Sequence, residues 1–127
     1  MSRKILLDAF YNNFSDFLDQ LIKVFPEDSD FPTYKMGLFL FQKTNPAVVP
    51  TTLNLHVSPY EEIIRAKNED FILKHKFSDH IGDDDALDQI IRKLKDQWVA
   101  MSPNNKACVW QYTTILMELS KRIVSLS

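Results

Sequence analysis

The sequence predicts an all-α fold: a compact bundle of about five to seven helices, closed by a long antiparallel C-terminal helix pair, in one domain over residues 1–127. Three observations carry this expectation. Apolar residues recur at steps of three and four along most of the chain, the spacing of a helical face. Only two glycines occur, too few for the positive-φ turns of a sandwich or barrel. Proline steps fall between the periodic runs, where a missing N–H costs a new helix nothing. A chain of 127 residues is the usual size of a single domain and buries roughly two-thirds of its unfolded surface without a covalent staple.

The first periodic run covers residues 4–25. Phe10, Phe14, Phe17, Leu18, Leu21 and Phe25 share a face, and Pro26 ends the run. Asp30 is placed to cap a second helix over residues 31–43, whose first turn tolerates Pro32. Tyr34, Leu38 and Phe41 share one side of it, while Met36, Phe39 and Leu40 point elsewhere. A helix apolar nearly all round needs cover from more than one side, from its own chain or from a partner. Asn45-Pro46 reads as a cap and first residue of a third helix over residues 46–57. "VVPTTLNLHV" contains enough β-branched residues for a strand. No second strand is available to pair with it, so a helix distorted at Pro50 is expected.

Ser58-Pro59-Tyr60-Glu61 has the form of a capping box opening a helix that ends near Ala66, and Asn68 caps the short segment "EDFILKH". "FSDHIGDDD" reads as a loop turning at Gly82, its Asp83, Asp84 and Asp85 abutting the positive end of the next helix. On that helix Leu87, Ile90, Ile91, Leu94, Trp98 and Met101 form the apolar face, with Asp88, Arg92 and Asp96 spaced for i,i+4 pairing opposite. Ser102-Pro103 closes it and opens the last helix. There Tyr112, Ile115, Leu116, Leu119, Ile123 and Leu126 face inward, and Glu118 and Arg122 face water. Trp98 and Trp110 flank this corner and read as core, filling the gap where the two helices diverge.

Charge and chemistry exclude more than they suggest. The net charge is −2, and neither half of the chain is a polycation of the kind that draws a protein onto nucleic acid. The single Cys108 forms no internal disulfide and fits a reducing compartment. The N-terminal apolar run stops at Asp8, too early for a secretory signal, and no stretch is long enough to span a bilayer. His56, His75 and His80 have no metal-ligand spacing, and Asp79 with Asp83, Asp84 and Asp85 lacks the alternation of a calcium loop. Cys108 lies on an apolar helix, where a thiol is an inert filler. No glycine-rich phosphate loop occurs. No cofactor, metal, small-molecule substrate or enzymatic activity is therefore expected.

Several stretches taken together resemble a known group. They are Phe25-Pro26-Glu27-Asp28, Asn45-Pro46, Pro59-Tyr60, Glu69-Asp70-Phe71, and Trp98 followed by Trp110-Gln111-Tyr112. In this order, over nearly the whole chain, they resemble a family of short all-helical proteins encoded by large nucleocytoplasmic DNA viruses of eukaryotes. The resemblance implies a protein made in an infected cell, in host cytoplasm, viral factory or virion, and carries over no catalytic residues. The expected function is accordingly a non-enzymatic interaction or virion-associated module, meeting itself or another protein through Tyr34, Met36, Phe39 and Leu40. The alternative is a nucleic-acid accessory protein using Arg92, Lys93, Lys95, Lys121 and Arg122, although Asp88, Asp96 and Glu118 interrupt that set.

Overall fold

The computed structural model describes residues 2–74 and 86–126, excluding the side chains of residues 72–74 and 86–88. The loop expected around Gly82, with His75, His80 and the acidic run, lies outside the described residues, as do the side chains of Leu87 and Asp88. The described chain is helical throughout, without a strand among the described residues. Helix α1 spans Arg3–Val24, α2 Asp30–Thr44, α3 Val48–Val57, α4 Glu61–Arg65, α5 Glu69–Lys74, α6 Ala86–Gln97 and α7 Pro103–Ser125. Short 3-10 turns at Ser58–Tyr60 and Trp98–Ala100 lead into α4 and out of α6.

The helix ends follow local chemistry. The Ser2 hydroxyl accepts from the Ile5 N–H at 3.2 Å and starts α1. Ser102 does the same for α7, accepting from the Asn105 N–H at 3.1 Å with Pro103 at the first helical position. After α4 the chain closes a double C-terminal turn: Asn68 N–H donates to the Ile63 carbonyl and Lys67 N–H to that of Ile64. This places Lys67 at φ 54°, a left-handed position that glycine would occupy without strain. Asn68 then caps α5, its Oδ1 accepting from the Phe71 N–H at 3.2 Å.

Three expected caps form differently. Ser29, not Asp30, precedes α2; Asp30 is its first residue, and its N–H donates to Asp28 Oδ1 at 2.9 Å. Asn45 is the C-cap of α2, donating to the Phe41 carbonyl at 2.8 Å, so α3 begins at Val48 rather than at Pro46. Pro50 falls in the first turn of α3, where no intrahelical N–H is required, and "VVPTTLNLHV" is helix rather than strand. The capping box at Ser58 does not close. Ser58 continues α3 in helical geometry, and the Glu61 carboxylate turns instead to Lys121 at 2.9 Å.

The core is one continuous apolar cluster. From α1 it takes Leu6, Phe10, Tyr11, Phe14, Phe17, Leu18 and Leu21, from α7 Val109, Trp110, Leu116, Met117 and Ile123. Helix α7 lies mainly along α1 and α3, and α1 also carries α2. The last helix meets its predecessor at the corner, where the Trp98 and Trp110 rings stand edge to face at 5.6 Å, both buried. Two expected features of α7 differ. Leu126 is the C-cap residue after α7 and is 51% exposed. Glu118 is only partly exposed and pairs with Arg65 of α4. Polar ties fix the remaining packing: the Tyr11 hydroxyl donates to the Pro46 carbonyl at 2.7 Å, and that of Tyr34 to Gln89 Oε1 at 2.7 Å.

Candidate functional site

Helix α2 buries only Phe31 and Leu38. Phe31 stacks on Phe25 at 5.8 Å, and Lys35 pairs with Asp19 of α1 at 2.6 Å, so α1 covers one side of α2. On the other sides Met36 is 75% exposed, Leu40 60%, Phe39 57% and Phe41 43%. At 100° per residue, Met36 and Leu40 run along the outer crest, with the Phe39 and Phe41 rings on opposite flanks. Lys43 sits over the Phe39 ring at 4.4 Å from its centroid. Beside Phe39 a shallow depression of about 310 Å³ lies between α1 and α2, lined by Tyr11, Ser15, Lys35 and Gln42 among others.

Of the four residues expected to form this surface, Met36, Phe39 and Leu40 do so. Tyr34 does not: it is half-buried, packs edge-on against Phe31 at 5.9 Å and donates to Gln89. Phe41 takes its place. Spacing put Phe41 on the inner face, but spacing sets an angle around the helix, not how far along it a neighbour reaches.

Of the five basic residues, Arg92 is half-buried on α6, and others already hold carboxylates. Lys93 is clamped between Asp28 at 2.7 Å and Asp30 at 2.8 Å, at the start of α2. Hydrogen bonds to these two carboxylates push its ammonium pKa above the ordinary lysine value. Lys121 pairs with Glu61, against α4. Lys95 borders the cavity described next, and Arg122 is exposed near the end of α7. At least Lys93 and Lys121 are thus already matched by carboxylates.

A second feature lies beneath the tryptophan corner, where α3, α4, α5, α6 and α7 meet around a partly open cavity of about 120 Å³. Its walls are almost entirely apolar, with Ile63, Ile64, Ile91, Leu94, Trp98 and Trp110 prominent and His56, Tyr60, Lys95 and Thr113 contributing the polar groups. Sequence reasoning recognised both tryptophans as core but had no signal for the void beside them. Unfilled volume depends on how five segments come together in space.

Cys108 is half-buried, and burial pushes its thiol pKa up, away from the nucleophilic thiolate. Among the described residues no three His, Cys, Asp or Glu side chains gather to hold a metal ion, and no helix is long and apolar enough to cross a membrane. Comparison with protein-family models, curated proteins and solved structures found no match.

Proposed function

We propose that this chain is a non-enzymatic interaction module that pairs with a second copy of itself through α2. In the setting implied by its resemblance, it would be a protein of a large DNA virus acting in the infected cell or virion. The observation that carries the reading is the exposed crest of Met36 and Leu40 with Phe39 and Phe41 beside it. Contiguous apolar surface of this kind marks an interface. Met36, Leu40 and Phe39 together expose roughly 400 Å² per copy, taking about 200 Å² for a fully exposed large side chain. A standard interface buries about 800 Å² per partner, so the crest supplies about half and the polar flanks complete it.

The occupant is a second copy because the crest is self-complementary when two α2 helices lie antiparallel. That arrangement sets Met36 of each copy on Leu40 of the other, a closed two-fold contact. It also opposes the two helix dipoles. With one modest apolar ridge as its centre, the dimer is reversible and in the micromolar range. The nucleic-acid reading is disfavoured by the carboxylates already held by Lys93 and Lys121.

The test is light scattering coupled to size exclusion across protein concentration, on the wild type and Leu40→Glu. The wild type is expected to shift from monomer to dimer. The variant, altered only at an exposed position, stays monomeric and melts like the wild type at concentrations where both are monomeric. A wild type that remains monomeric at about 500 µM overturns the proposal, since a micromolar interface would be saturated there.

A further inference from the structure

The cavity under the tryptophan corner is independent of the α2 surface, and its chemistry is narrow. Five helices contribute walls to it, and the described lining residues leave the space between them open. Two walls are the rings of Trp98 and Trp110, held edge to face at 5.6 Å. Another is the Tyr60 and Phe71 pair, with centroids 5.0 Å apart. Apart from His56, Tyr60, Lys95 and Thr113 these walls are apolar, so a guest meets hydrocarbon and aromatic surface over most of its area. A cationic guest would lose its hydration beside the Lys95 ammonium, with no carboxylate among the lining residues in return. The volume, about 120 Å³, approaches the roughly 150 Å³ of an engineered apolar cavity that admits benzene.

We propose that this cavity is a binding site for a small uncharged apolar molecule, about the size of a single six-membered ring. The guest would lie between the α4 wall at Ile64 and the two indoles, entering where the cavity opens to solvent.

The chain has two tryptophans, and both line the site, so their emission reports occupancy directly. Toluene is the probe, added to the full chain with excitation at a wavelength that toluene does not absorb. Expected are a saturable change in tryptophan emission and a rise in melting temperature that saturates over the same concentrations, because a ligand bound only to the folded state stabilises it. Thr113→Phe fills the space from α7 and weakens binding by at least about tenfold. If that variant does not fold, Ile63→Phe fills it from α4 and serves the same purpose. Leu40→Glu, remote from the cavity, keeps wild-type binding. The proposal is overturned if emission and melting temperature show no saturable response up to the solubility of toluene. It is equally overturned if the filled variant binds like the wild type, or if Leu40→Glu abolishes the response, which would assign the probe to the α2 surface.

Discussion

Replacing Gly37 with alanine should stabilise the folded monomer. Gly37 lies in the interior of α2, Asp30–Thr44, and does not have the left-handed backbone that would favour glycine. A Cβ added there meets nothing within 4 Å, so the substitution creates no clash and fills no cavity. What remains is the backbone. Glycine in a helix interior costs about 0.5–1 kcal/mol relative to alanine, because the unfolded chain gives up more freedom. No packing contribution offsets that difference, so the full helix-propensity gain should appear. For a chain between the size classes usually tabulated, it amounts to a melting-temperature increase of about 2–5 °C. The assay is thermal and urea unfolding at a concentration low enough to keep the protein monomeric, with unchanged m-value as the sign that only stability moved. A lower melting temperature, or no change, would refute the reasoning by showing that the outer face of α2 meets another part of the chain.

Two further substitutions test the ties that orient α2. Tyr11→Phe removes the donor to the Pro46 carbonyl and should cost about 1 kcal/mol. Burial pushes the Tyr11 phenol pKa up to about 12, so an ultraviolet titration of the variant should lack the last-ionising tyrosine, and an unchanged titration would refute the assignment. For Asp28→Asn the effect should depend on pH. The Lys93 hydrogen bond holds the Asp28 carboxyl below its ordinary range, so its contribution is present above the unfolded carboxylate pKa and disappears as pH falls through the folded value. Lys93 is shifted upward, so its contribution persists below the ordinary lysine pKa and is lost only as pH rises through its folded value. The variant should be about 0.5–1 kcal/mol less stable at neutral pH, as befits a partly exposed pair. It should converge with the wild type near pH 2, and parallel stability curves down to that pH would exclude the pair as the cause.

The sequence by itself determined helix type and much of the core. Steps of three and four identified the buried face of α1, and Ser102-Pro103 located the start of α7, because these signals act within one or two turns of chain. Tertiary structure decided what lay between elements. Asn45-Pro46 and Ser58 through Glu61 carry sound local capping patterns, yet Asn45 finishes α2 and Glu61 reaches across to Lys121. Met36, Phe39 and Leu40 could be picked out as surplus apolar residues, but the exchange of Tyr34 for Phe41 depended on Gln89, which is distant in sequence. Likewise the tryptophans were legible as core, while the cavity beside them was not. A spacing pattern records the direction in which a side chain leaves its own helix; whether another segment arrives there, and how closely, is settled only when the helices pack.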